Sequence, residues 1–206
     1  MNVIDKTDNY IFSTAYLPPI SYFKHILNAK NVFIEDDENY QRQSYRNRCC
    51  IYSPNGKQAL SIPVKAHNHT NIKDVKIDYS SHHWQKQHWR SITTAYSNSA
   101  YFLHFNEAFY NIYHTKRHEY LLDFNIETLN TILKIVNVNT NINKTSSFHK
   151  SYTNAKDLRY NIHPKLESQT NINTYFQAFG DKFGFKNDLS IIDLIFNLGK
   201  HSLELI

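Results

Sequence analysis

A strand, a proline-containing loop, a helix and a second strand follow one another near the N-terminus, and this order constrains the fold more than any other feature. Residues 10–15 have the β-prone composition of a strand, and the loop at residues 16–20 contains two prolines. Residues 21–29 have the apolar spacing of a short helix, and residues 31–35 are again β-prone. A unit of this kind favours two parallel strands joined by a right-handed crossover.

The pattern along the remaining chain predicts a hairpin followed by a mainly helical second half. Two β-prone runs, 48–53 and 58–64, flank Pro-Asn-Gly-Lys, which is typical of a tight turn. Apolar spacing then predicts helices at residues 82–96, 101–113 and 119–136, a strand near 139–143, an irregular segment to about 171, and short helices near 172–179 and 190–199. We therefore predict one α/β domain over residues 1–206, with a mixed or mostly parallel sheet from the N-terminal half and a helical C-terminal half.

Charge and apolar content limit the partners and the location of the chain. The net charge of +5 permits phosphate or nucleic-acid partners without requiring them. No apolar run approaches the ~18 residues needed to span a bilayer, and residues 1–16 are charged where a signal peptide would be apolar. We therefore expect a cytoplasmic protein, in which the adjacent Cys49 and Cys50 are small buried side chains.

Three arginines lie close together just after an acidic run. Arg42, Arg46 and Arg48 follow the four carboxylates at residues 35–38. If the segment is extended, these arginines and Ser44 project to one face. Planar guanidinium groups on one face suit a phosphate or carboxylate ligand. The alternative is that the arginines form ion pairs with the acidic run, and composition alone does not separate the two interpretations.

The proline-containing loop has a position that is often functional. In an α/β sheet the loop after the first strand lies at the carboxyl edge, where ligands usually bind. The start of the following helix offers N–H groups and the positive end of a dipole to an anion. The alternative is that Pro18 and Pro19 only stiffen the turn and begin the helix. The loop is not rich in glycine, so a dinucleotide or Walker-type site is not expected.

One histidine lies where acid–base chemistry could occur. Trp84 and His88 are four residues apart and share a face of the predicted helix. A histidine there can act as a general acid or base. The alternative is a hydrogen-bonded packing residue among aromatic side chains. The sequence contains no ligand spacing typical of zinc, and it does not identify a cofactor.

Two later segments also carry polar groups. Residues 157–165 collect two cations, a histidine and a proline in a loop-like setting. Towards the C-terminus, Asp188 or Ser190 can cap the last helix. Asp193 and Asn197 share one face of that helix, where they either complete a site or brace the terminus.

Five segments of the chain resemble the WbqC-like family of bacterial proteins. They are YLPPISYF at 16–23, NVFIEDDENYQRQSYRNRCCI at 31–51, LSIPV at 60–64, HWRSITTAYSNSAYF at 88–102 and SIIDLIFNLG at 190–199. The chain is similar to a shorter, divergent branch, because Ser21 stands where many relatives have glycine. The resemblance implies a role in surface-polysaccharide biosynthesis, such as that of O-antigen, and for some members the attachment of glycine to an amino sugar.

The resemblance also implies a set of functional residues. The matched motifs support Tyr16, Pro18, Tyr22, Arg46, Asn47 and Arg48 as substrate-binding residues, to which we add Gln43 and Tyr45 of the arginine stretch, and His88 and Tyr96 as catalytic residues. The implied activity is transfer of an acyl or aminoacyl group to an anionic, nucleotide-linked amino sugar. The arginines would hold phosphate, the tyrosine of the loop would orient the acceptor with the asparagine, and the histidine would take the amine proton.

A non-catalytic module that binds a nucleotide-bearing ligand or nucleic acid is the alternative. The positive net charge and the many aromatic residues fit stacking on bases. Outside residues 40–48, however, the sequence has no tract of basic residues interleaved with aromatics. A small anionic molecule is therefore favoured over nucleic acid as the partner.

Overall fold

The predicted strand–helix–strand unit is present at the N-terminus. In a computed structural model that describes residues 9–80, 83–115, 117–168, 170 and 172–206, β1 (Asn9–Ser13) leads to α1 (Ile20–Asn28) and then to β2 (Asn31–Glu35). The two strands pair in parallel, with Ile11 opposite Phe33. The parallel pair predicted from the sequence is confirmed.

The predicted hairpin follows. β3 (Arg48–Ser53) and β4 (Gly56–Ser61) pair antiparallel across the turn, where Gly56 has a φ of +95°. Only glycine adopts this backbone conformation without strain, which explains its place in the turn. The polar stretch after the hairpin contains a short antiparallel pair, β5 (Val64–Lys65) and β6 (Lys76–Ile77), separated by a 3-10 helix at Ile72–Asp74.

Three helices then occupy the regions predicted to be helical. They are α2 (Trp84–Tyr96), α3 (Phe102–His114) and α4 (Leu121–Ile135). His82, the predicted first residue of the first of these helices, lies outside the described residues. Each helix buries one face and exposes the other, as its apolar spacing predicts.

Two short strands complete the parallel sheet. β7 (Ile142–Lys144) pairs with β2, and β8 (Lys156–Asp157) pairs with β1, which gives the order β7-β2-β1-β8. The strand predicted near residues 139–143 is confirmed, although it begins later. β8 lies in the segment predicted to be irregular, because a strand of two residues leaves no alternating pattern in the sequence.

The C-terminal helices differ in part from the prediction. α6 (Ile191–Leu198) and a 3-10 helix at Gly199–Leu205 cover the region predicted near 190–199, whereas the helix predicted near 172–179 is wrong and α5 (Gly180–Phe183) stands after it. The Gln177 side chain explains the difference. Its Nε2 donates to the Lys186 carbonyl at 3.0 Å, and its Oε1 accepts from the Lys186 N–H at 2.8 Å. This pairing with a later segment replaces the local bonds of a helix.

The two faces of the parallel sheet have different surroundings. Side chains that alternate along β1 and β2, including Phe12 and Ile34, are buried in the main core together with α1 and α6. Ile11 and Phe33 project to the second face and belong to neither core cluster of the described residues. Cys49 and Cys50 are both free and buried, as predicted. Within the described ranges, no helix combines the length and apolar content needed to cross a membrane.

Candidate functional site

A small cavity lies at the carboxyl edge of β1 and β8. Ser13, Tyr22, Tyr45, Arg46 and Arg159 are among the residues that line it. Three of the predicted substrate-binding residues are thus brought together at the edge where α/β sheets usually bind ligands. The cavity holds only about 10 Å³, which is room for about one water molecule. A substrate therefore needs a larger neighbouring space.

Arg46 forms an ion pair with Glu38 of the acidic run. Its Nε donates to Glu38 Oε1 at 2.8 Å and its Nη2 to Glu38 Oε2 at 2.5 Å, and both side chains are almost fully buried. Nη2 also donates to Ser13 Oγ at 2.7 Å. Of the two interpretations of the arginine stretch, the ion pair with the acidic run is observed for Arg46. The extended conformation predicted for this stretch is wrong, because Ser44 Oγ donates to the Gln41 carbonyl and closes a turn.

Tyr45 also lines the small cavity, whereas the other residues of the arginine stretch lie apart from it. Gln43 is exposed and has a φ of +56°. Asn47 Nδ2 donates to the Ile62 carbonyl at 2.8 Å, and Arg48 Nε donates to Ser61 Oγ at 3.1 Å. The backbone and side chains at the end of the hairpin therefore hold both. Their predicted roles in substrate binding stay a prediction.

Tyr16 and His88 meet in the interior. Tyr16 Oη lies 2.9 Å from His88 Nδ1 and 2.5 Å from Tyr113 Oη. His88 also hydrogen-bonds the backbone of Ser61, and burial lowers its pKa to about 4. The imidazole packs edge-on to Trp84 at 5.1 Å between ring centres. His88 is thus neutral at pH 7 and braces the loop between β1 and α1 through Tyr16.

Tyr96, the second predicted catalytic residue, belongs to another buried network. Its Oη accepts from the Tyr52 N–H at 3.1 Å. It also hydrogen-bonds Asp193, which accepts from Tyr175 Oη at 2.5 Å. Burial raises the pKa of Asp193 to about 6, against the hydrogen bonds from both tyrosines and from Gln177. The pair Asp193 and Asn197, predicted on one helix face, is present here, since Asn197 Nδ2 donates to the Asp193 carbonyl at 2.7 Å.

These two buried groups give stability opposite dependences on pH. His88 gains its proton near pH 6.5 when unfolded but only near pH 4 when folded, so its contribution to stability falls as pH drops through that range. Asp193 gains its proton near pH 6 when folded but near pH 4 when unfolded, so its contribution rises over the same drop. Between pH 7 and pH 4, urea denaturation should show wild type losing up to about 3 kcal/mol relative to His88→Gln, and gaining up to about 3 kcal/mol relative to Asp193→Asn. Equal slopes in the two variants would contradict the assignment.

The start of α1 is closed by the C-terminal segment. Asp188 accepts hydrogen bonds from the Ser21 N–H at 2.7 Å and from Ser21 Oγ at 2.8 Å. The Pro18 carbonyl accepts from the Ile191 N–H at 2.9 Å. The start of α1 does offer an N–H group to an anion, as expected, but at Ser21 that anion is the Asp188 carboxylate. Of the two residues expected to cap the last helix, Ser190 is the N-cap residue of α6, although its side chain makes no capping hydrogen bond, and Asp188 caps α1 instead.

A larger groove adjoins the small cavity. It has a volume of about 680 Å³ and lies between α1 and the segment that includes and follows β8. His25 of α1 lines it together with Lys156 and His163. Leu158 and Ile162 line both spaces, so the groove extends from the carboxyl edge of the sheet. We call it the α1 groove.

His25 and Lys156 are the groups of the α1 groove best suited to contact a ligand. Burial, then Lys156, then Lys24 lower the pKa of His25 to about 4, so the imidazole is neutral at pH 7. Among the described residues no side chain or backbone group hydrogen-bonds this imidazole. Lys156 is exposed, with Nζ 5.3 Å from the centre of the Tyr10 ring. A neutral imidazole beside an ammonium group can contact an anion and accept a proton.

His163 adds a donor to the same groove. Its Nδ1 accepts from the Lys165 N–H at 3.1 Å, and burial, Arg46 and Lys165 lower its pKa. In the neutral ring the proton is therefore on Nε2. Sequence reasoning noted the cations and the histidine of residues 157–165 but assigned them no role. It missed His25, because a single histidine on a predicted helix carries no signal for the groove. No cluster of three metal-ligating side chains is found in the described part of the chain.

Comparisons with known proteins place the chain beside one family. The model of a family described as the WbqC-like protein family matches residues 14–176. An "Uncharacterized protein Rv1507c" of Mycobacterium tuberculosis is 26% identical over 216 aligned positions, which cover 92% of this chain and 93% of the relative. No solved structure matches the chain.

Proposed function

Because the chain belongs to the WbqC-like protein family, we propose that it is an acyl or aminoacyl transferase of surface-polysaccharide biosynthesis, such as that of O-antigen. Its acceptor is an anionic, nucleotide-linked amino sugar, and glycine is one candidate for the transferred group. Residues 1–206 act as one domain, and the acceptor occupies the α1 groove. The observation that carries the proposal is that His25 and Lys156 line the same space of about 680 Å³, a size typical of small-molecule sites.

The proposed step uses few protein groups. The amine nitrogen of the sugar attacks the carbonyl carbon of an activated acyl donor such as a thioester, the thiolate leaves, and the N–H proton passes to His25. Lys156 contacts the phosphates of the acceptor. Burial is the first cause of the low pKa of His25, and the charge of Lys156 is the second. A phosphate that offsets the charge of Lys156 removes the second cause only, so acceptor binding raises the pKa of His25 partway and favours proton transfer to it.

Under the proposal, Tyr22, His88 and Tyr96 act indirectly, by positioning the backbone near the site. Tyr22 Oη donates to the Ser13 carbonyl at 3.0 Å, at the end of β1. Under the proposal, His88 positions the loop after β1 through Tyr16, and Tyr96 positions β3 through the Tyr52 N–H. A direct catalytic role for His88 and Tyr96 stays a prediction, and the turnover assay below tests it for His88.

Thermal-shift measurements of purified protein test the acceptor class. The screen contains nucleoside-diphosphate-linked amino sugars, acyl-coenzyme A thioesters, free nucleotides and short oligonucleotides. We expect a nucleotide-linked amino sugar to stabilise wild type and Lys156→Ala to bind it about tenfold more weakly, which is the loss of one charge-assisted contact. Lys57→Ala, on the exposed hairpin, is the matched control and should bind as wild type does. Equal binding of the acceptor by Lys156→Ala and Lys57→Ala would show that the acceptor does not bind in the α1 groove.

Turnover with the stabilising acceptor and a thioester donor tests the chemistry. His25→Gln should keep acceptor affinity and lose about 10²–10⁴ in kcat, whereas His88→Gln should lose less, since it acts through Tyr16. If His88→Gln loses more kcat than His25→Gln at unchanged stability, His88 and not His25 is the general base. Binding without turnover in wild type would favour the non-catalytic nucleotide-binding module, and oligonucleotide binding that weakens steeply with salt would favour nucleic acid.

A further inference from the structure

The second face of the sheet carries an apolar pair that no helix within the described ranges covers, of which Ile11 is 3% exposed and Phe33 is partly buried. Ile11 and Phe33 are directly opposite each other on β1 and β2. Along the row across the sheet they are flanked by Asn143 and Asp157, and along the strands by Asn9 and other polar residues. Phe33 is only partly buried and contributes to neither core cluster within the described ranges. An aromatic ring in the middle of a sheet is thus left without the packing that normally accounts for one.

A cavity of about 470 Å³ lies over this pair. Its other walls come from residues 145–155, which we call the strap and which cross the second face between β7 and β8. The strap is rich in hydroxyl and amide groups. Ser151, Thr153 and Asn154 line the cavity, are exposed, and make no side-chain hydrogen bond within the described part of the chain. The cavity therefore has an apolar floor and a rim of unused donors and acceptors.

The strap is fixed before any ligand arrives. Glu35, which is fully buried, accepts from Thr145 Oγ1 at 2.8 Å and from Tyr152 Oη at 3.0 Å. Arg159 Nη1 donates to the same carboxylate at 2.9 Å, and its Nη2 donates to the His149 carbonyl at 2.9 Å. The strap is therefore held at Thr145, His149 and Tyr152, so its backbone is ordered before binding and loses little entropy on binding.

We propose that this cavity binds a carbohydrate, with one pyranose ring lying on Phe33 and its hydroxyls on the strap. A pyranose ring has an apolar C–H face and a polar edge, which match the floor and the rim. The site is separate from the α1 groove and does not depend on the proposed transferase activity.

The charges around the cavity favour a neutral sugar over a nucleotide or a fatty chain. Among the described residues that line the cavity, Lys144 carries the one ammonium group, and its Nζ lies 3.9 Å from Asp36 Oδ2. A diphosphate would therefore find little uncompensated positive charge. A purely apolar ligand would displace water from the cavity side of the strap hydroxyls without replacing its hydrogen bonds, which is unfavourable.

Titration of ¹⁵N-labelled protein with glucose, galactose, N-acetylglucosamine and their methyl glycosides tests the site. We expect at least one of these sugars to shift the amide resonances of Phe33, Ser151 and Asn154. Asn154→Ala and Phe33→Leu should each weaken that binding by about tenfold or more. Asn161→Ala, a change of the same type in the α1 groove, should leave it unchanged.

Three outcomes would overturn the proposal: no shift at the strap with any probe, shifts confined to the α1 groove, or wild-type affinity in Asn154→Ala. The exposed Asn154 keeps the test decisive even if Phe33→Leu disturbs the sheet. Nucleotide-sugar binding that is weakened by Lys156→Ala but not by Asn154→Ala reports on the α1 groove, so failure of one site does not imply failure of the other.

Discussion

Replacing Arg46 by alanine lowers the free energy of unfolding by about 3–5 kcal/mol, the range seen when one partner of a buried ion pair is removed. The loss of stability arises because the Glu38 carboxylate stays buried without its cation. Glu38 is 1% exposed and would keep its Ser13 partner at 3.2 Å but lose both bonds to the guanidinium. Urea denaturation, read as a change of midpoint at constant slope, measures the loss.

Arg48→Ala is the matched control for Arg46→Ala. Arg48 lies two residues away and reaches only Ser61 Oγ in a solvent-exposed setting. We expect its replacement to change stability by no more than about 0.5 kcal/mol. The double variant Glu38→Met/Arg46→Met should recover most of the loss, since no buried charge remains. Similar stabilities for Arg46→Ala and Arg48→Ala would contradict the expected contribution of the buried Arg46–Glu38 ion pair to the free energy of unfolding.

Replacing Arg159 by alanine should have an effect of the same size, about 3–5 kcal/mol. Its side chain and that of Glu35 are both fully buried. The guanidinium also pairs with Asp157, at 2.9 Å from Nε and 2.6 Å from Nη2, so two carboxylates lose their cation at once. The same change frees the strap, because Arg159 holds the His149 carbonyl. Amide exchange should therefore quicken across residues 145–155 more than in α4.

Lys144→Ala tests whether any loss of a charge near the strap lowers stability and quickens amide exchange in residues 145–155. The Lys144 ammonium is about half exposed and 3.9 Å from its partner Asp36, so we expect a change below about 1 kcal/mol. Slow amide exchange of the strap in Arg159→Ala would mean that the hydroxyl contacts to Glu35 hold the strap without the ion pair. Such a result would leave the sugar site preformed, with Glu35 as the group that holds the strap.

The elements with a strong local period were predictable from the sequence. β1, α1, β2, the hairpin and helices α2 to α4 follow apolar spacing of period two or close to three and a half, and the structure has them where the pattern indicates. The family was also predictable, because its motifs are contiguous. The elements that were missed or misplaced depend on distant partners: β8 exists through its pairing with β1, and the segment before α5 through the bonds of Gln177 to Lys186.

The candidate site was predictable only in part, for a related reason. Sequence reasoning found the carboxyl edge and Arg46, but it could not decide which anion the arginine meets, since Glu38 and a phosphate satisfy the same geometry. It likewise could not know that Asp188 already occupies the start of α1. The α1 groove joins residues of one early helix to a segment more than a hundred positions later, and no local spacing encodes that meeting.

The cap that Asp188 places on α1 also sets an order of events. The two residues it joins are 167 positions apart, and the neighbouring Pro18–Ile191 bond spans a similar distance. During synthesis the N-terminal strands leave the ribosome long before the residues that finish the first helix, whereas α2 to α4 close mostly local contacts. The start of α1 therefore stays incomplete until residues 188–191 have been translated. The α1 groove, which Asp188 also lines, is completed only at that point.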